Sequence, residues 1–397
     1  MTEFREIMID ADREIWRDGT IADKTIVPGV SSENWSVSMR RLRGGLSDGV
    51  DVVTVDNGRL RIDILPTRGM GIWRAVCDGV PVEWKSPVER PVHPAFVDQS
   101  RRGGIGWLDG FNELLCRCGL AWHGAPGNDV IRDAEGNVVS EQFLPLHGRI
   151  ANLAAHHVRI EVTSEEGGTI RIIGVVDEAG LFGGRLRLTS TLTTKPGSDL
   201  FEINDDVSNC SGAAAETEML YHINIGRPFL EEGSIFHSAS TEIAPRDPRA
   251  AEGIGMWNLY QAPTPGYAEQ VYFTRPAPDP TGCGIGLLAN ATEDKAVAVR
   301  FDLATLPWLI LWKNTQDERD GYVTGIEPGG SFPNLRSVER RHGRVRTLQP
   351  DETVRYRLSI QTLTERSRVK SAIDETTTRQ VATERMTHTA PKTDWSA

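Results

Sequence analysis

Cysteine is scarce in this sequence, and what little there is excludes two common roles. Five cysteines in 397 residues make an odd count, at no spacing typical of a disulfide framework, so a reducing compartment is expected. Cys116 and Cys118 flank a single arginine, too little for a zinc centre, which needs four ligands; no metal site is expected. Positive charge is also in deficit. Lys and Arg number 44 against 55 Asp and Glu, a net charge of −11, so neither nucleic acid nor an anionic membrane is an expected partner. The opening residues, MTEFREIMIDADREIWRDG, are charged throughout and carry no signal-peptide pattern. No apolar run approaches a membrane span, and a cytoplasmic location is expected. Glycine-rich RRGGIGW (101–107) lacks the Lys-Ser/Thr of a phosphate loop. Adjacent His156 and His157 would point to opposite faces of a strand and make a poor metal pair.

Turn formers and alternating strands are abundant. There are 39 glycines and 22 prolines, as a turn-rich β protein requires. In RLRLTST, Leu186 and Leu188 share one face while Arg185, Arg187 and Thr189 share the other. KPGSD (195–199) supplies a turn, and LFEINDDV resumes the alternation through Phe201 and Ile203. Asp205 and Asp206 are expected at the solvated end of that strand. In TVRYRLSIQT, Val354, Tyr356, Leu358 and Ile360 alternate with polar residues. Helix signals are confined to residues 10–17 and to a turn or two within RDPRAAEGIGMWNLY. Many strands without βαβ alternation predict an all-β sandwich or barrel. The last thirty residues are polar, with almost no apolar clustering, and predict a mobile tail.

Three separated stretches carry groups suited to chemistry. His147 lies in LPLHGRIANL (144–153), with Arg149 two residues on. In MLYHINIGRP (219–228), His222 and Asn224 share one strand face and Tyr221 and Ile223 the other. In VTGIEPGGSFPN (323–334), Glu327 precedes Pro-Gly-Gly, where a strand ends and a side chain can emerge at a cleft. Taken singly, each reads more readily as bland: a strand histidine is more often a satisfied core or surface residue, and a glutamate at a strand end is usually solvated.

Taken together and in order, they resemble the aldose 1-epimerase (galactose mutarotase-like) superfamily, and specifically its branch with a domain of unknown function. LPTRGMGIWRAVCDGVPVEWKSPV (65–88), GFNELLCRCGL (110–120) and LPWLILWKN (306–314) join the three stretches above in that resemblance, which spans residues 45 to 363. It implies a galactose mutarotase-like β-supersandwich over 45–364. Residues 1–44 would then pack on it as an N-terminal extension, and 365–397 would form the polar tail. It further implies ring opening of a free sugar by Glu327 as base and His222 as acid, with His147 as the second histidine holding the substrate. No cofactor is then needed. Arg149 follows His147 where the family usually has a second glycine, and Asn224 stands where an aromatic residue is usual.

Around this centre, Arg68, Arg149, Asn224, Lys313, Trp312 and His123 are candidate substrate-binding residues, and Glu269 and Gln270 are candidate hydroxyl ligands. On an extended segment Arg149 would face the same way as His147. With Arg68 it would place cations beside the sugar, predicting a preference for an acidic one. The partner expected is a small-molecule carbohydrate, and a homo-oligomer is compatible with the sequence. The alternatives are another sugar isomerase or epimerase proton transfer on the same scaffold, or a non-catalytic carbohydrate-binding protein.

Overall fold

Two-residue periodicity becomes two large sheets in the computed structural model, which describes residues 3–397. One sheet has ten strands, with Thr353–Leu363, Leu200–Asn209, Gly184–Thr194 and Thr169–Gly180 adjacent at its middle. The other has thirteen. In it Gln270–Pro276, Trp308–Asn314, Val323–Gly329, Leu220–Ile225 and Leu115–Cys118 lie side by side. All these neighbours pair antiparallel. The fold is the all-β sandwich that the alternation predicts.

The main core lies between the sheets. Leu186, Leu188, Phe201, Ile203, Tyr356, Leu358 and Ile360 come from one side, and Tyr221, Ile223, Leu309, Leu311 and Ile326 from the other. The thirteen-stranded sheet is buried on its far face as well. There Cys116, Cys118, Leu220, Phe273 and Ile310 meet loops carrying Trp84, Trp107, Phe111 and Phe332. A strand covered on both faces buries every residue, as Leu220–Ile225 does, and its polar members must then be satisfied inside the protein.

Asp205 shows how. Instead of standing in solvent at a strand end, it is wholly buried between the sheets. It accepts from Arg117 Nε at 2.5 Å, Arg117 Nη2 at 3.1 Å and the Tyr221 hydroxyl at 2.8 Å. The alternation places it there: Phe201, Ile203, Asp205 and Val207 form one face. Asp206, next in sequence, faces out and pairs with Arg355 on the adjacent strand.

Within the N-terminal segment, residues 3–44 pack on the sandwich by adding strands to both sheets. Glu3–Asp10 pairs with His157–Thr163 in the ten-stranded sheet, while Gly19–Asp23 and Ser36–Arg41 extend the thirteen-stranded one. No helix forms over 10–17. Ile15–Trp16 instead folds back on Ile9 and Asp10 as a short strand, since Ile and Trp suit a paired strand better than a four-residue helical turn. A helical turn does form at Pro248–Ala251, capped by Asp247.

The tail is the larger correction. Arg366–Val381 is a helix that buries Val369, Ala372 and Thr376, and Met386–Thr387 adds a parallel pairing to Ser240–Pro245. Trp395 is 1% exposed, with its ring 5.2 Å from both Trp308 and Phe332. Its carbonyl accepts from Asn334 Nδ2 at 2.8 Å. A few spaced residues anchor this segment, so a search for apolar clustering passes over it. Replacing Trp395 with alanine should cost about 3–5 kcal/mol, the usual range for a buried tryptophan. It should also expose the segment after 381 to protease. An unchanged denaturation midpoint and cleavage rate would mean that the anchor contributes nothing.

Candidate active site

On the far face of the thirteen-stranded sheet lies a cavity of about 300 Å³. Its floor comes from strand residues His222, Glu327, Ile310, Trp312 and Val271, and its walls from the loop residues Trp107, Phe111, Leu146, His147 and Pro333. Arg246 and Glu269 stand at its rim.

Register puts the two central groups together. Leu220 pairs with Gly329 and Ile223 with Ile326, so His222 lies directly opposite Glu327 on the neighbouring strand. His222 Nε2 is 3.3 Å from Glu327 Oε1. Gly325 makes the approach feasible: a Cβ there would sit 2.4 Å from Glu327 Oε1 and 3.2 Å from both the His222 and Trp312 rings. Glu327 Oε1 is buried without a hydrogen-bond partner in the protein. Burial pushes the Glu327 carboxyl up to about 8, although His147 pulls the other way. Burial pushes His222 down to about 3, helped by the positive potential of His147.

His147 occupies the left-handed region with φ 61°, between Leu146 and Gly148. Its Nδ1 lies 2.9 Å from the His123 carbonyl, which can only accept, so Nδ1 donates. Its ring stands edge-on to Trp107 at 4.7 Å and 5.6 Å from the ring of His222. Burial disfavours charge on His147, yet the neighbouring Cys118 sulfur and the His123 carbonyl hold its pKa above the ordinary imidazole range.

Of the residues singled out from sequence, Glu327, His222, His147 and Trp312 are brought together here, with Glu269 at the rim. Trp312 Nε1 donates to Glu269 Oε2 at 2.7 Å, and Glu269 Oε1 is 2.9 Å from Arg246 Nη2. Asn224 and His123 are one layer back, holding His222 and His147.

The others lie elsewhere, each for a physical reason. Arg68 is 1% exposed and satisfied within the protein, by Glu113 at 2.5 Å, Asn152 and the carbonyls of Val92 and Gly110. Arg149 is exposed and lines a separate hollow with Glu178, Arg185 and Arg336. The left-handed turn at His147 and Gly148 breaks the extended geometry that would have aligned it with His147. Lys313 follows Trp312 on a strand and so faces the opposite side. There Nζ donates to the carbonyls of Leu259 at 2.8 Å and Met256 at 3.1 Å. Gln270 is likewise turned away, toward Tyr267 and the Arg249 carbonyl. The expectation of an acidic sugar rested on Arg68 and Arg149, and it loses both carriers.

Sequence reasoning did not single out Trp107, Phe111 or Arg246. Trp107 lies in the short 3-10 turn Gly106–Gly110 and Phe111 caps it, too short an element to leave a periodic signal, although a Trp and a Phe four residues apart in a glycine-rich stretch mark a wall against something apolar. Among the described residues, no group of three or more His, Cys, Asp or Glu is arranged to hold a metal ion, and no helix is long and apolar enough to cross a membrane.

Gly325→Ala tests the packing directly. The added methyl should drive Glu327 off its 3.3 Å approach to His222, visible in a crystal structure of the variant, with a stability loss of about 1–3 kcal/mol typical of overpacking. An unmoved carboxylate would mean that the glycine is not what permits the approach.

Comparison with known proteins follows the same lines. Residues 47–362 match the family model described as a domain of unknown function, DUF4432. A crystal structure of a putative aldose 1-epimerase from Klebsiella pneumoniae is 32% identical, with a TM-score of 0.90 over 98% of this chain and 99% of that one. A galactose mutarotase-like protein from Clostridium acetobutylicum is 15% identical, with a TM-score of 0.56 over 83% of this chain and 99% of that one. A putative aldose 1-epimerase from Escherichia coli is 12% identical, with a TM-score of 0.52 over 79% of this chain and 99% of that one. At these identities the last two speak for the fold alone. No curated protein matches the chain.

Proposed function

The chain belongs to the DUF4432 family, with a galactose mutarotase-like fold, and from that premise we propose that it is a cofactor-independent aldose 1-epimerase acting on a free sugar. The observation that carries the reading is the His222–Glu327 pair, 3.3 Å apart on the floor of an aromatic-walled cavity, with Glu327 Oε1 left unpartnered. Opening a hemiacetal requires one proton to leave the anomeric hydroxyl while another reaches the ring oxygen. A buried pair holding a single proton can do both, each transfer contributing roughly 10²–10⁴-fold in rate.

The shape of the site suits a monosaccharide. A cavity near 300 Å³ is at the small end of ligand pockets, and aromatic walls with few polar groups are typical of them. Trp107, Phe111 and Trp312 offer faces for the apolar side of a sugar ring, while His147 and Glu269 offer polar contacts to its hydroxyls. Arg246, the cation at the rim, is already engaged by Asp247 Oδ2 at 2.8 Å and Glu269 Oε1 at 2.9 Å. With two carboxylates to one guanidinium, the rim favours a neutral aldose. The alternative of a non-catalytic sugar binder gives no role to a buried glutamic acid whose oxygen has no partner.

Two outcomes test the reading. Anomer exchange followed by NMR over a panel of neutral aldoses should fall by roughly 10²–10⁴-fold in Glu327→Gln and in His222→Asn, with the fold retained. Near wild-type exchange in either variant would remove that residue from the chemistry, and sugar binding without exchange in the wild type would favour the binder. The pH profile has a defined sign. The pair holds its one proton while pH lies above the His222 value of about 3 and below the Glu327 value of about 8. Activity should therefore be lost as pH rises through about 8, where the last proton leaves. A rate that climbs through that region would overturn the one-proton requirement.

A further inference from the structure

Asn224 fixes which nitrogen of the His222 ring carries hydrogen when the ring is neutral. Its amide nitrogen is 2.9 Å from the Glu113 carbonyl and 3.2 Å from the His222 carbonyl. Both are acceptors only, so Nδ2 must face them and Oδ1 must face the other way. Oδ1 lies 2.6 Å from His222 Nδ1 and cannot donate, so Nδ1 carries a hydrogen. Asn224 is wholly buried and His222 is 5% exposed, which leaves this arrangement little freedom to invert. In the neutral ring the second nitrogen, Nε2, is then a bare lone pair, and it is the one aimed at Glu327 Oε1.

We propose that Asn224 is a positioning residue that fixes His222 as the Nδ1–H tautomer, so that Nε2 is the proton acceptor of the reaction and Glu327 the proton donor. The inference rests on the epimerase reading for its substrate, though not for the tautomer itself. In ring opening, Nε2 takes the proton of the anomeric hydroxyl, whose oxygen forms the carbonyl. The bond from the anomeric carbon to the ring oxygen breaks, its electron pair passes to the ring oxygen, and that oxygen takes the Glu327 proton. Imidazolium and carboxylate remain. After the carbonyl rotates, the ring hydroxyl returns its proton to Glu327 as it attacks, and the imidazolium returns its own to the new anomeric oxygen. Both groups end as they began.

Burial favours this distribution on both groups, and His147 favours it on His222 while opposing it on Glu327. His222 is faced by His147 from the loop and by Cys116 across the adjacent strand. The Arg68–Glu113 pair lies behind it, internally balanced. Glu327 is faced by His147 and Cys118, with Arg246 and Glu269 at the rim. The raised basicity of His147 places a positive potential beside His222, and this opposes a second imidazolium.

The test is nitrogen-15 NMR of histidine-labelled full-length protein without sugar, at neutral pH, with the His222 signals assigned by their loss in His222→Asn. Nδ1 should appear protonated and Nε2 unprotonated. In Asn224→Asp the new carboxylate should draw the proton on to His222, giving two protonated nitrogens. In Asn224→Ala, with no acceptor to choose the tautomer, kcat should fall at least about 10-fold, within the range that acid–base transfer supplies, while KM moves less than about 3-fold. A protonated Nε2 in the wild type overturns the inference whether or not any sugar turns over. So does a folded Asn224→Ala protein with wild-type kcat. A bare Nε2 in a protein that anomerises none of the panel overturns the epimerase reading instead.

Discussion

A single buried carboxylate, Asp205, determines which way the strands under the pocket face. It reaches across the core to Arg117 and Tyr221, which are directly paired on adjacent strands of the opposite sheet. With that cross-strand pair committed to the core, the next pair, Cys116 and His222, must face the pocket, because successive strand residues alternate. A slip of one residue would carry His222 into the apolar interior and leave Asp205 unmatched. Breaking a buried ion pair costs about 3–5 kcal/mol, far more than a surface pair contributes, so the penalty for the wrong register is steep. The rest of the Arg117 guanidinium is satisfied by Ser190 and the carbonyls of Met70 and Gly69, so the pair is hydrogen-bonded throughout.

Burial then reverses the ordinary order of basicity at the floor of the site. In water an imidazole holds a proton more tightly than a carboxylate, with values of 6.5 and 4.5. Here the carboxyl rises to about 8 and the imidazole falls to about 3. A neutral acid beside a neutral ring costs less in a low-dielectric site than two separated charges. The same burial serves both residues because Gly325 removes the one side chain that would hold them apart. His147 escapes the trend because Cys118, the His123 carbonyl and Glu327 stabilise its charged form, and its potential weighs further against charging His222.

Much of this was legible in the sequence, and the failures have a common cause. Strands such as Gly184–Thr194 and Thr353–Leu363 announce themselves because one face is buried and the other is not. His147, His222 and Glu327 could be picked out through ordered short motifs, each weak alone. Long-range partnership was not legible. Nothing local says that Arg68 belongs to Glu113, that Asp205 belongs to Arg117, or that Trp395 closes over Trp308 and Phe332. Lys313 could have been excluded from sequence alone, since it and Trp312 cannot share a face of one strand. For Arg149 the signal was only partial: Gly148, between it and His147, allows a left-handed turn, but the left-handed conformation of His147 itself is not marked by its residue type.

The loop supporting the cavity depends on that unread tail. Glu327 ends its strand in Pro328-Gly329, and the following residues give the pocket Pro333. Ser331 lies 2.8 Å from His123, the residue whose carbonyl orients His147. Asn334, next in line, is held by Glu339 Oε1 at 2.7 Å and by the Trp395 carbonyl at 2.8 Å. Phe332 is stacked on Phe273 and packed against Trp308 and Trp395. The last residues of the chain thus brace the segment that connects the two sides of the site, the Glu327 carboxyl through its strand and the His147 ring through Ser331 and His123. Neither histidine nor glutamate needs to touch the tail for its position to depend on it. The geometry of a pocket is set as much by what immobilises its loops as by what lines it.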